Sequence, residues 1–263
     1  MIKLIASDVD GTIIPYKCQK ISDEFFAEAE RLIDSGVAFC FASGRQYANL
    51  KRLAGPIAEK AYYICENGAV IVSGKDGRVL SRSEMDREQA IRLADRIHND
   101  PEYEVFISGG SCIYLCTEKE EVVELAEHGL CIDFAFLSRP EEMPEPIVKV
   151  SAYCRDSAAE YPKLLAEWGD VFNVAIAGEN WVDFTVADKG TGLASLCALL
   201  RIRPEETAVF GDNFNDIPML ELTGHPYIMQ SAAEELLQRF PHHCGNVAEE
   251  LRKISGNADF TNG

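Results

Sequence analysis

Apolar residues follow two patterns along this 263-residue chain. In the first, short continuous apolar runs alternate with stretches in which apolar residues recur every three or four positions. KLIAS (3–7), VAFCFAS (37–43), YYIC (62–65) and TAVFG (207–211) are continuous runs, as expected of strands buried on both faces of a sheet. Between and after them, residues 22–36, 45–53, 190–200, 214–222 and 231–239 predict helices. The first of these has Ser22 as its cap and Gly36 as its stop. PYIM (226–229) predicts one more strand. Strands of this kind separated by helices predict an α/β layer architecture with a mostly parallel sheet.

The second pattern fills the middle of the chain. AVIV, RVLS, YEVFIS, CIYLC, IVKVSAYC, VFNVAIA and WVDFTV are short strand-like runs, some joined by Gly-containing turns at 73–77 and 109–110. Helical patterns at 86–98, 118–128 and 157–168 interleave with them, and a Pro/Glu-rich loop covers 139–146. This stretch reads as antiparallel α+β. From Lys189 the first pattern returns. The chain is thus expected to form a Rossmann-like parallel-sheet core from residues 1–81 and 184–263, interrupted by an inserted α+β cap over 82–183.

Composition narrows the function. Apolar residues make up 47% of the chain, and no apolar run approaches the ~20 residues of a membrane span. The opening MIKLIASDVDGT lacks the basic and apolar regions of a signal peptide, so a cytoplasmic location is expected. With 43 acidic and 25 basic residues the net charge is −18, which disfavours nucleic acid and anionic membrane as partners. Any phosphate site must then be made locally positive. Oligomeric state leaves no signature in the sequence. The nine cysteines contain no C-x-x-C and sit mainly in apolar runs, as buried reduced thiols do. A zinc site from Cys112, Cys116, His242, His243 and Cys244 is the alternative.

Four polar clusters carry the candidate chemistry. Asp8 and Asp10, in DVDGT, directly follow the first buried strand, where ligands bind in open α/β sheets. A plain Asp-Gly turn would use neither carboxylate. Ser43-Gly44-Arg45 follows the second strand and is expected to open a helix, offering a hydroxyl and N–H groups to an anion; an ordinary Ser cap is the simpler explanation. Lys189 opens a helix, where a cation opposes the macrodipole unless it meets anions. Gly211-Asp212-Asn213-Phe214-Asn215-Asp216 follows another strand, and capping accounts for only one of its four polar side chains. All four clusters fall at one edge of one predicted sheet. Asp8, Asp10 and Asp212 converging there would repel one another unless a hard cation such as Mg2+ joined them. Asp8 is then the expected nucleophile and Asp10 the acid that protonates the leaving oxygen and later activates water. Mg2+ and Lys189 would balance the phosphoryl charge.

DVDGT (8–12), the Ser of ASGR (42–45), Lys189 and GDNFND (211–216), in this order, resemble the haloacid-dehalogenase-like hydrolase superfamily over essentially the whole chain. The insert's position between the Ser and Lys motifs, and Glu66-Asn67-Gly68-Ala69 before it, resemble the Cof-type branch. The resemblance implies Asp8 as nucleophile and metal ligand, and Asp10 as acid/base that also meets the metal through its backbone carbonyl. It further implies Ser43 and Lys189 on the phosphoryl group, Asp212 on Mg2+, Asn215 at the phosphate and Asp216 in support. Arg45 and Asn67 would face the substrate, and Gly44, between Ser43 and Arg45, would belong to the phosphate-binding segment. A carboxylate at Asp10 points to phosphate esters, because a halide leaving group needs no proton. The expected partner is a small phosphate ester, by default a sugar phosphate. A phosphomutase of the same superfamily and a non-catalytic phosphate-binding protein are the alternatives. Gln230-Ser231-Ala232 departs from the Asn-Ala pair that follows the last core strand in many Cof-type chains.

Overall fold

The computed structural model describes residues 1–16, 20–110, 112–130 and 132–258. It divides into two compact units, one of Met1–Ser81 with Lys189–Gly263 and one of Arg82–Asp188. The chain builds the first unit from β1 (Leu4–Ser7), α1 (Asp23–Asp34), β2 (Ala38–Ala42), α2 (Tyr47–Leu53), β3 (Tyr62–Cys65), β4 (Val70–Ser73) and β5 (Val79–Arg82). It then forms the inserted unit from α3 (Arg87–His98), β6 (Tyr103–Ser108), β7 (Ile113–Leu115), α4 (Glu120–Glu124), β8 (Phe134–Phe136), β9 (Lys149–Cys154), α5 (Ser157–Trp168), β10 (Asn173–Gly178) and β11 (Trp181–Thr185). The return supplies α6 (Lys189–Leu200), β12 (Thr207–Gly211), α7 (Ile217–Leu222), β13 (His225–Met229), α8 (Glu234–Arg239), β14 (His243–Cys244) and α9 (Val247–Ala258).

The core sheet has the order β14-β13-β12-β1-β2-β3-β4-β5. β1 pairs in parallel with both β2 and β12, while β4 runs antiparallel to β3. The chain therefore leaves β1 to one side and returns on the other, making β1/β12 the switch point where α/β sheets open a crevice. Both sheet faces are packed, which explains the uninterrupted apolar runs. Leu4, Ala6, Cys40, Ala42, Ile64 and Val209 join Leu193 and Leu196 of α6 in one apolar cluster. On the other face Phe25 of α1 meets Phe39 edge-on, and Phe41 stacks on Tyr63.

The inserted sheet has the order β10-β11-β9-β6-β7-β8, antiparallel except for β7 beside β8. Val105 and Ile107 pack with Val150, Ala152 and Leu93 of α3, whereas Phe106, their neighbour on the opposite face, packs with Val122 of α4.

Several sequence expectations shift. The insert ends at Asp188 rather than 183, because β11 stays paired with β9 through Thr185 and Lys149. The helix expected from Arg45 begins at Tyr47, because the Ser43 hydroxyl accepts the Arg45 N–H and holds that segment in a bend. β14 and α9 were not anticipated. α9 places Val247, Ala248 and Leu251 in the interior, and its Arg252 binds Glu24 and Glu28 of α1.

Candidate active site

Asp8 continues the β1 ladder, its N–H donating to Phe210 of β12 at 2.9 Å. This fixes the backbone while the side chain turns into a buried space beyond the strand ends. Lys189 enters that space from the first turn of α6 and is 1% exposed. Its Nζ donates to Asp8 Oδ1 at 2.6 Å and to Asp216 Oδ1 at 2.7 Å. These two anions resolve the conflict between a lysine and a helix N-terminus. The other oxygen of Asp216 accepts the N–H groups of Asp212 (2.9 Å) and Asn213 (3.0 Å), so this carboxylate also ties down the loop after β12.

Asp212, at the end of that loop's first step, is buried beside Gly11. Gly11 has φ +92, and a Cβ there would overlap the Asp212 carboxylate, so only glycine lets the DVDGT turn lie against it. Thr12 Oγ1 donates to Asp212 Oδ1 at 3.1 Å and Tyr16 Oη to Oδ2 at 2.6 Å. Among the described residues, Asp8, Asp212 and Asp216 form the one group of three metal-capable side chains, with ligand atoms within 4.8 Å of one another.

One lysine thus faces three buried carboxylates. Burial pushes the Asp8 carboxyl up to about 8, with Asp216 and Asp212 adding to the push and Lys189 opposing it. Burial also raises Asp212, against the hydrogen bond from Tyr16. Burial alone would lower Lys189, but Asp216 and Asp8 outweigh it and hold the ammonium well above its ordinary value. Asp8 Oδ2 is buried and has no hydrogen-bond partner among the described residues. An orphaned carboxylate oxygen in an all-oxygen, net-negative cluster fits a hard divalent cation.

The side chain of Asp10 goes elsewhere. It is 51% exposed and takes two bonds from Arg45, Nε to Oδ2 and Nη2 to Oδ1, both 2.7 Å. Arg45 also donates from Nη1 to Asn49 Oδ1 at 2.8 Å. The three-carboxylate group therefore contains Asp216 where the sequence reading had Asp10; a metal contact from the Asp10 backbone carbonyl is a separate matter.

Ser43, Gly44, Asn67 and Asn215 form a second group. The Asn67 N–H donates to the Ser43 carbonyl at 3.1 Å, and the Asn67 side chain lies against Gly44. Asn215 Nδ2 reaches Asn67 Oδ1 at 3.5 Å. Asn67 itself has φ 54, a left-handed conformation that asparagine tolerates better than most residues. Of the alternative zinc set, His243 turns its Nε2 to the carbonyls of Leu237 and Phe240. The described cysteines are unbridged. No helix of the described residues is long and apolar enough to cross a membrane.

Sequence reasoning missed Thr12, Tyr16 and Asn49. Thr12 closes the DVDGT motif, and Tyr16 and Asn49 each lie four residues past a recognised motif, but nothing in spacing says which carboxylate or cation each would meet.

A parallel sheet with an acidic switch point, a lysine at the start of α6 and a domain inserted before it defines a class of hydrolase. The chain belongs to the haloacid dehalogenase-like hydrolase family, which it matches over residues 5–250, within the Cof-type branch. It is 25% identical over 253 residues to the 5-amino-6-(5-phospho-D-ribitylamino)uracil phosphatase YbjI of Escherichia coli K12, covering 95% of this chain and 93% of that one. It is 27% identical over 264 residues to the HMP-PP phosphatase of Enterobacter sp. 638, covering 94% and 93%. A haloacid dehalogenase-like hydrolase from B. subtilis superposes with a TM-score of 0.83 at 24% identity, covering 95% of this chain and 99% of that one. The protein is accordingly an enzyme of the phosphatase class.

Proposed function

We propose that the chain is a magnesium-dependent phosphatase that hydrolyses a small phosphorylated metabolite, of sugar-phosphate type, through an aspartyl-phosphate on Asp8. The observation that carries this reading is the asymmetry of the Asp8 carboxylate. Oδ1 is held by Lys189 at 2.6 Å, while Oδ2 is buried and unpartnered among the described residues. One oxygen is anchored by the lysine, and the other faces the space that the cation and the phosphoryl group would share.

In the first half-reaction one oxygen of the Asp8 carboxylate bonds to phosphorus as the bond from phosphorus to the ester oxygen breaks, and Asp10 gives the leaving oxygen a proton. In the second, Asp10 takes a proton from water, the water oxygen bonds to phosphorus, and the bond to Asp8 breaks. Lys189 would balance the Asp8 carboxylate before attack and the phosphoryl oxygens after it, and Ser43 and Asn215 would hold phosphoryl oxygens. Mg2+, held by Asp8, Asp212 and the Asp10 carbonyl, would supply positive charge to oxygens that gain negative charge in the transition state. Asp216, with Lys189 on one oxygen and two backbone N–H groups on the other, supports the loop that carries Asp212. Arg45 takes both Asp10 oxygens and would have to release one of them for that proton transfer. The name of the E. coli relative, with its 5-phospho-D-ribitylamino group, supports a phosphate on a polyol carbon.

The test is phosphate release from a panel of phosphorylated metabolites in Mg2+ and in chelator, with acid-quenched protein digested to find phosphate on Asp8. Release only with Mg2+, and label on Asp8, is expected. Release that persists in chelator, or label absent from Asp8 under burst conditions, would refute the reading.

A further inference from the structure

The segment after DVDGT reaches back to the acidic cluster through the side chain of Tyr16. Backbone bonds from Ile14 N–H to Val9 O and from Gly11 N–H to Ile14 O, both 2.8 Å, close that turn. Ile13 and Ile14 are buried and anchor it, and Pro15 then stiffens the step to Tyr16. Tyr16 is 61% exposed, yet its hydroxyl lies 2.6 Å from Asp212 Oδ2. A ring this exposed adds little to the core, so its position is set by what the hydroxyl does.

Asp212 is held on three sides. Gly11 lies against its carboxylate with no room for a Cβ, Thr12 donates to Oδ1 and Tyr16 to Oδ2. Two donors on two different oxygens, from a common turn, fix both the position and the rotation of the carboxylate plane. Each oxygen keeps a further lone pair, because an ionised carboxylate has about four acceptor sites. The clamp therefore orients the group without using it up. Asp8, across the cluster, has the opposite arrangement, with one oxygen bonded to Lys189 and one unpartnered.

We infer that Tyr16 is a positioning residue for divalent-cation binding, its hydroxyl presetting the Asp212 carboxylate so that the cation finds that ligand already aligned. The inference rests on the metal reading of the Asp8–Asp212 cluster given above. Hydrogen bonds to a ligating carboxylate are commonly worth a factor of about 10–100 in metal affinity. One donor of two is removed in Tyr16→Phe, so a loss near the lower end, about tenfold, is expected.

The experiment is calorimetric titration of Mg2+ into the substrate-free full-length protein, comparing the parent with Tyr16→Phe and Tyr16→Leu. Thermal midpoints of the chelated proteins are measured alongside. Both variants should bind Mg2+ about tenfold more weakly, with chelated midpoints within about 4 °C of the parent, the shift expected for one hydrogen bond in a chain of this size. A merely structural tyrosine would lower the chelated midpoint and leave the Mg2+ constant unchanged, which overturns the inference. Tighter binding by either variant also overturns it, because the hydroxyl would then be competing with the cation for Oδ2. If the parent itself takes up no Mg2+, the metal reading fails and this inference falls with it. Weakened binding in both variants, with the parent intact, supports it.

Discussion

Each unit of the molecule buries a lysine against aspartate, and the two arrangements differ in their arithmetic. In the inserted unit Lys149 Nζ stands 3.4 Å from Asp183 Oδ2, and Ser151 donates to Asp183 Oδ1 at 2.6 Å. The lysine and a hydroxyl each take one oxygen of this single aspartate. In the core unit Lys189 bonds to Asp8 and Asp216 while Asp212 lies in the same cluster, so one positive charge meets three carboxylates. Burial of a matched pair is a matter of desolvation against attraction, and often nearly cancels. Burial of a mismatched set is unfavourable until something else arrives. The second arrangement is the one that suits the proposed cation.

The largest effect should come from Asp8→Asn. An amide cannot attack phosphorus, so turnover should fall by more than about 10³-fold, while circular dichroism stays that of the parent. Removing one of three anions also relieves repulsion, so the chelated variant should be no less stable. A variant retaining a tenth of the parental rate would place the nucleophile elsewhere.

Single lysine losses should look alike in the two units, and repair should tell them apart. Lys189→Met and Lys149→Met each strand a buried carboxylate, and each should cost about 3 kcal/mol or more in urea unfolding. In the insert, Lys149→Met combined with Asp183→Leu should return to within about 2 kcal/mol of the parent, because an apolar pair replaces an ionic one. In the core, Lys189→Met combined with Asp8→Leu should stay inactive whatever its stability. If the insert double variant remains as unstable as the single one, the pair is not a self-contained unit.

The mismatch should also appear as pH dependence. Asp8 is pushed up to about 8 in the folded chain from an ordinary 3.8. Between those values the folded state binds a proton that the unfolded state has released, so stability falls as pH rises. For chelated protein the thermal midpoint should therefore decline from about pH 5 towards pH 8, and Asp8→Asn should flatten the decline. Saturating Mg2+ should restore the midpoint most at the alkaline end. An unchanged slope in Asp8→Asn would assign the effect to other groups.

What the sequence made legible follows the same division. Asp8, Lys189 and Asp212 were readable because each ends or begins an element whose apolar run marks it, and the sheet's parallel pairing then brings strand ends together. The hydroxyl of Tyr16 was not readable, because it meets Asp212 across 196 positions from a loop with no periodicity. The carboxylate of Asp10 was expected beside its neighbours, but the exposed guanidinium of Arg45 offers it two bonds without desolvation. α9 was missed because its buried apolar residues among those described, Val247, Ala248 and Leu251, stand among charged ones, and its pairing with α1 through Arg252 is long-range. The end of the insert was misplaced because WVDFTV reads as a strand wherever it belongs, and only the pairing of Thr185 with Lys149 assigns it.

The smallest effect should come from an ion pair with the same geometry in water. Lys60 Nζ lies 2.7 Å from Glu30 and 3.2 Å from Asp34, and Lys189 lies 2.7 Å from Asp216. In Lys60, too, one lysine faces more than one carboxylate. Each lysine donates to two carboxylates at similar distances, so contact geometry does not separate the two sites; solvent does. Around Lys60 the high dielectric and dissolved salt screen both the attraction to the lysine and the repulsion between the acids, and holding three long side chains in place costs entropy. Around Lys189, which is 1% exposed, neither screening nor an alternative hydration shell is available. Lys60→Ala should leave the urea midpoint unchanged within error at physiological salt, and should leave Mg2+ affinity untouched. The same titration on Lys189→Met should show both altered. A Lys60→Ala variant destabilised as much as Lys189→Met would mean that charge count alone sets these energies, and the distinction between a structural and a ligand-seeking cluster would lose its physical basis.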